Sequence, residues 1–225
     1  MNRKPESLKS NSKICRIDPA RPDHWLIDEA VDIVKSGGIV IFPTRTLYGM
    51  GADAFKPDAV NRIYAVKQRP AKNPLSVLVK SIHQVETLAA EIPETAIRLM
   101  RDFWPGRLTV VFSARPEVPS GLTAGTGKIG IRVPEHPVAV RLIESLNVPL
   151  TATSANISGQ SGTDCVRALP DQFIRQINLV LDAGELKGGI GSTVVDVTVY
   201  PPVILREGAV SANELFAVLQ LQEKK

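Results

Sequence analysis

At 225 residues and 44% hydrophobic content, with a mean hydropathy close to zero, the chain has the size and apolar fraction of one folded domain, which excludes a disordered protein. Seventeen prolines and sixteen glycines without triplet periodicity exclude collagen-like and low-complexity readings, and 5% aromatic residues are few for a face that stacks many bases. The 27 basic and 23 acidic residues leave +4, and residues 1–16 hold all of it, with Arg3, Lys4, Lys9, Lys13 and Arg16 against Glu6.

The body from Ile17 onward is therefore formally neutral, apart from a local excess in which Lys56, Arg62, Lys67, Arg69 and Lys72 face only Asp58. A neutral body with one concentrated basic stretch suits a small polyanion better than a broad nucleic-acid footprint. Cys15 and Cys165 make no disulfide framework and point to a reducing compartment. The N-terminal segment lacks the apolar core of a secretory signal, and no run of about 18 apolar residues could span a bilayer. The expectation is a cytoplasmic protein without a membrane partner.

In chain order, Leu26, Ala30, Ile33 and Val34 recur at helical spacing until Gly37-Gly38 stops them. Ile39 to Phe42 reads as a buried strand ending at Pro43, and residues 44–51, with hydroxyls and two glycines, read as a loop. A helix follows from Asp58 to Lys67, bounded by Pro70, then a strand from Leu75 to Val79 and helices over 83–90 and 94–103. Strands at 108–112 and 128–133 precede a helix over Pro137 to Leu146 and a strand over 148–153, which runs into the polar loop 154–159. Strands at 178–182, 193–199 and 203–206 and a helix over 212–221 complete the chain. Helices alternate with strands early and strands crowd the end, so the fold class is α/β, a mixed sheet with helices against it.

Several motif matches fail on context. Gly125 to Gly130 satisfies G-x-G-x-x-G, yet β-like sequence and Pro134 follow it where a dinucleotide site needs a helix. The glycines at 184–192 are spaced like a phosphate loop, but Ile190 and Gly191 stand where lysine and hydroxyl belong. Ser154 is outside any G-x-S-x-G, and the scattered His24, His83 and His136 form no zinc pattern, so no metal site is expected from protein side chains. What remains is a set of anion ligands. Lys67, Arg69 and Lys72 with Asn73 occupy a turn stiffened by Pro70 and Pro74, where an arginine fork and lysine point charges meet the oxygens of a nucleoside triphosphate. Ser154 and Asn156 add neutral donors at another strand end, Arg132 adds a second fork, and Ser192 and Thr193 follow glycines that allow close backbone approach.

These residues fall into an ordered series: Pro-Thr-x-Thr-x-Tyr-Gly-x-Gly at 43–51, Lys-x-Arg-Pro-x-x-Asn-Pro-Leu at 67–75, Trp-Pro-Gly at 104–106, Ile-Arg-x-Pro at 131–134, Ser-Ala-Asn-x-Ser-Gly at 154–159, Ser-Thr-Val-Val-Asp at 192–196 and Leu-Arg-x-Gly at 205–208. Over about residues 17–208 the chain resembles the YrdC-like threonylcarbamoyl-AMP synthases. The resemblance implies an open, twisted α/β fold with a positively charged concave face. It implies the joining of L-threonine, bicarbonate and ATP, with Mg²⁺, into threonylcarbamoyl-adenylate and pyrophosphate, which a tRNA threonylcarbamoyl-transferase complex uses to make N6-threonylcarbamoyladenosine. Carried over by position, it puts Thr46, Arg132, Ala152 and Ser192 at the threonine and Arg69, Asn73, Lys128, Ser154, Gly162 and Arg206 at ATP, with Lys67, Arg69, Ser154 and Asn156 as the catalytic signature. Leu78 departs from the histidine of some members, and Arg45 from the glutamate of many.

The implied organisation is a basic tail over 1–16, a catalytic domain over 17–208 and a C-terminal helix over 209–225, as in the short single-domain members. No protein nucleophile is needed for this chemistry, only the positioning of two anions and the stabilisation of charge during phosphoryl transfer. The rival reading is a paralogue that binds tRNA or double-stranded RNA through the tail and the basic stretch. A carbamoyl-phosphate-processing domain ranks last, because such domains sit in long chains with zinc-finger cysteines.

Overall fold

The computed structural model describes residues 13–220. In chain order the elements are β1 (Lys13–Arg16), α1 (His24–Lys35), β2 (Val40–Pro43), β3 (Tyr48–Gly51), α2 (Pro57–Lys67), β4 (Ser76–Leu78), α3 (Ile82–Val85), α4 (Glu94–Phe103), β5 (Leu108–Ser113) and α5 (Ser120–Thr123). They continue with β6 (Lys128–Arg132), α6 (Pro137–Leu146), β7 (Leu150–Ser154), α7 (Asp171–Ile174), β8 (Leu179–Asp182), β9 (Thr193–Asp196), β10 (Val203–Arg206) and α8 (Ala212–Leu219).

The strands form an open mixed sheet in the order β1-β8-β2-β3-β7-β4-β6-β5-β9-β10. Pairs β1/β8, β2/β8, β4/β6 and β5/β9 are parallel; β2/β3, β3/β7, β4/β7, β5/β6 and β9/β10 are antiparallel. Two apolar cores flank it. In one, α1 buries Leu26, Ile27, Ala30, Val31 and Val34, the stripe that a 3.6-residue period dictates, with α6 residues Val138, Leu142 and Leu146 against Val40 and Phe42 of β2. In the other, Val60 and Ile63 of α2, Leu99 of α4 and Leu215 of α8 pack with Met50, Val77, Val110 and Ile131. Covering a mixed sheet on both sides explains why β2, β5 and β8 are nearly continuous in apolar residues.

The helix ends follow their sequence signals. Pro57 and Pro137 open α2 and α6, where a missing N–H costs no hydrogen bond, and Ser211 and Glu214 close a reciprocal capping box on α8. Three expectations are corrected. Residues 48–51, read as loop, are strand β3 in the middle of the sheet, pairing with both β2 and β7. Lys13–Arg16, read within a tail, is strand β1 on the sheet's edge, while residues 1–12 and 221–225 lie outside the described residues. The helix read over 83–90 is cut to Ile82–Val85. Among the described residues no helix is long and apolar enough to cross a membrane.

Candidate active site

Register brings the sequence-distant candidates together. Ser154 on β7 pairs with Gly49 on β3, Ala152 on β7 with Ser76 on β4, and Arg132 on β6 with Leu78 on β4. Above these central strands lies a cleft of about 810 Å³. Every candidate residue lines it: Thr46, Lys67, Arg69, Asn73, Lys128, Arg132, Ala152, Ser154, Asn156, Gly162, Ser192 and Arg206. Five of its lining side chains are Lys or Arg and none is Asp or Glu. The basic stretch at 56–72 does not act as one patch, because only Lys67 and Arg69 face the cleft. Arg62 turns away to donate to Gly37 O at 3.0 Å and Asn178 Oδ1 at 3.1 Å.

Lys67 ends α2 and is 1% exposed. Its ammonium donates to Ser154 O at 2.6 Å, Asn156 O at 2.8 Å and Asn156 Oδ1 at 2.9 Å, so all three protons are used. Burial, with Arg69 nearby, pushes its pKa down to about 7. Ser154 Oγ also donates to Asn156 Oδ1, and the Asn156 amide donates to Ile157 O and Gln160 O. The geometry thus makes Lys67 the fastener of the 154–160 turn, with its ammonium committed inward and not extended toward a phosphate. Ser158, in the same turn, lines the cleft and has a buried hydroxyl without a partner.

Immediately after α2, Gln68 takes the left-handed conformation, with φ of 49°, and swings the chain so that Arg69 crosses the following turn. Its guanidinium donates to Asn73 O at 3.0 Å and Pro74 O at 2.8 Å, and burial lowers its pKa. Tyr64 donates to the same Asn73 carbonyl, leaving the Asn73 amide free to face the cleft.

Arg132 is different. Its partly buried guanidinium makes no hydrogen bond with any described residue, and withdrawal from water, opposed by Glu135 and reinforced by Arg206, lowers its pKa to about 10. An arginine fork sunk in a cleft without a partner is a receptor for a carboxylate or phosphate. Leu78 and Ala152 border the same cleft. Arg45 forms an ion pair with Glu135 at 2.8 Å, so it draws its counter-charge from within the chain.

On the far side Lys128 is held by Asp196 at 2.8 Å. Burial alone would raise that carboxyl, but bonds from Lys128 and Thr198 outweigh it and hold it below the ordinary carboxylate range. Arg206 donates to Ser192 O at 2.6 Å, and Ser192 Oγ meets Thr109 Oγ1 at 2.9 Å. A bulge between Ile204 and Arg206 lets consecutive residues Leu205 and Arg206 both line the cleft, which plain strand alternation forbids. Gly162 is set by close approach: a Cβ there would stand 2.9 Å from Leu47 Cδ1. Sequence reasoning had no role for Asp196, Tyr48 or Ser158. Only their membership of the motifs at 43–51, 154–159 and 192–196 marked them.

The family model described as "Telomere recombination", that of Sua5, YciO and YrdC, matches residues 32–208. The chain belongs to the Sua5/YciO/YrdC family. Within it, the chain is 41% identical over 199 residues to a threonylcarbamoyl-AMP synthase of Pyrococcus abyssi, covering 88% of this chain and 58% of that protein. It is 38% identical over 194 residues to the synthase of Bacillus subtilis, covering 86% and 56%. The chain thus spans a little over half the length of these curated relatives. The crystal structure of P. abyssi Sua5 complexed with L-threonine superposes with a TM-score of 0.87 at 40% identity, over 92% of this chain and 60% of that one. The α/β class and open sheet expected of the family are those observed.

Proposed function

We propose that this member of the Sua5/YciO/YrdC family is an L-threonylcarbamoyladenylate synthase that joins L-threonine, bicarbonate and MgATP. The observation that carries the reading is the Arg132 guanidinium, without a protein partner, in a cleft lined by five cations and no carboxylate. Such a cleft favours a ligand set of an amino-acid carboxylate and a polyphosphate. With no acidic side chain lining the cleft, Mg²⁺ would arrive on the nucleotide and keep phosphate oxygens as its charged ligands. Names of the curated relatives and the threonine bound in P. abyssi Sua5 support the same substrates.

In the reaction, the threonine nitrogen bonds to the bicarbonate carbon and water leaves, giving a carbamate. A carbamate oxygen then bonds to the α-phosphorus of ATP as the α–β bridging P–O bond breaks, and the electron pair leaves with pyrophosphate. On this reading Arg132, Thr46, Ala152 and Ser192 hold the threonine. Arg69, Asn73, Lys128, Gly162 and Arg206 hold the nucleotide, and Lys67 keeps the Ser154–Asn156 turn at the reacting centre. Charge on the transferring phosphoryl group builds where Arg69 and Arg206 stand, in a site partly shielded from water. The product would serve the complex that transfers threonylcarbamoyl to tRNA.

The test is mass spectrometry of nucleotide products after incubation with ATP, Mg²⁺, L-threonine and bicarbonate, with each omitted in turn. An adenylate that requires all four, with pyrophosphate, is expected. ATP binding without any adenylate would overturn the reading, and salt-dependent RNA binding would then be the property to measure.

A further inference from the structure

Strand β8 is second in the sheet order and β9 ninth, yet only residues 183–192 join them. In a flat sheet seven strand spacings amount to about 34 Å, close to the full reach of ten extended residues. The connection therefore crosses the central strands as a strap instead of looping away. It ends at Gly191 and Ser192, which line the cleft. Along it, Gly184, Gly188 and Gly189 adopt φ of 85°, 68° and 100°, and backbone stitches are few: Leu186 N–H donates to Asp164 O at 2.8 Å, Gly188 N–H to Thr46 O at 3.0 Å, and Ala209 N–H to Gly191 O at 2.9 Å.

The start of the strap is fixed by a side chain from another strand. Tyr48, fully buried on β3, accepts a hydrogen bond from Ala183 N–H at 2.9 Å. Its hydroxyl donates to Gly184 O at 2.7 Å, with Asp182 Oδ1 as a second acceptor at 3.1 Å. That same Oδ1 accepts from Gly184 N–H at 2.8 Å, and Arg16 of β1 braces the other carboxylate oxygen at 3.2 Å. One phenol thus gathers both polar groups of the turn where the strap departs, and the strap in turn is stitched to Thr46, two residues before Tyr48 in the chain. The packing of the ring needs no hydroxyl. The hydroxyl has only the strap and Asp182 to serve.

We propose that Tyr48 is a positioning residue for the amino-acid end of the cleft: its hydroxyl sets the course of strap 183–192, and with it the placement of Ser192 and Thr46. This rests on the reading above that those two residues receive L-threonine.

The test is Tyr48→Phe, which keeps the ring, with two readouts. Hydrogen exchange of the Gly184–Gly191 amides is expected to accelerate at least threefold while exchange in α1 and α6 stays unchanged. In adenylate synthesis, KM for L-threonine is expected to rise about threefold to tenfold, the range of one net hydrogen bond, with KM for ATP and kcat within twofold. Asp182→Asn keeps an acceptor oxygen and is expected to retain the wild-type KM, whereas Asp182→Ala reproduces the shift. Unchanged strap exchange in Tyr48→Phe, or equal rises in both KM values, would overturn the proposal. A wild-type protein that makes no adenylate refutes the synthase reading alone, and strap exchange then decides the role of Tyr48.

Discussion

Two corners of one cleft treat their cations in opposite ways. Around Lys67 the ammonium is fully spent: its three bonds, the Ser154 hydroxyl and the Asn156 amide close a knot inside the 154–160 turn. Around Arg132 nothing is spent, and a guanidinium lines the cleft without a hydrogen bond to any described residue. A buried cation saturated by its own chain braces the cleft, whereas an unsaturated one keeps its donors available to a ligand. Motif membership does not separate these roles; hydrogen-bond accounting does.

The largest expected break in that comparison is Arg132→Ala. It removes the receptor but no internal bond, so catalytic efficiency with L-threonine should fall at least a hundredfold, on the order of a lost charged contact, while Tm stays within about 2 °C. Steady-state kinetics and thermal denaturation on one preparation check both halves. Lys67→Ala should cost activity and fold together, because it strands buried acceptors and leaves a cavity. A loss of about 3 kcal/mol in urea unfolding is expected, and stability equal to wild type would break the distinction.

A pH series sharpens it further. Burial holds Lys67 down to about 7 in the fold, so between there and its ordinary 10.5 the unfolded chain binds the extra proton. Wild-type stability, relative to Lys67→Met, should therefore rise as pH goes from 7 to 10; a flat or falling difference in paired urea titrations would show that the bonds to Ser154 and Asn156 keep the ammonium charged against the pull of burial. The smallest effect belongs to Asp196. Asp196→Asn leaves Lys128 without its carboxylate, and KM for ATP should change about threefold with kcat little altered, against a larger rise for Lys128→Ala.

Much of the architecture was legible because it rests on local periodicity. The stripe of α1 and the proline-opened helices α2 and α6 follow directly from residue spacing and the chemistry of helix ends. Strand β3 was not, since Tyr48-Gly-Met-Gly shows neither alternation nor β-branching. Its glycines serve close approach: a Cβ on Gly51 would stand 2.4 Å from Thr151 O, and one on Gly49 3.0 Å from the Phe42 ring. Loop-like composition there records tight packing between strands. The residues that line the cleft were readable from ordered motifs, but which of them bond within the chain and which do not was not. That Lys67 bonds residues 87 and 89 positions away, and Tyr48 one 136 away, is a property of the fold with no local trace.

The bulge in β10 adds a consequence concerning register rather than composition. One extra residue, Leu205, is what turns Arg206 toward Ser192. A strand faces its partner by parity, so straightening the bulge with the sequence unchanged would set Leu205 opposite Val194 and turn Arg206 to the other face. The cleft would lose its hold on a positive charge although every charged residue remained in the sequence. In this cleft, then, a count of cations says less about anion affinity than the face to which the register turns each one.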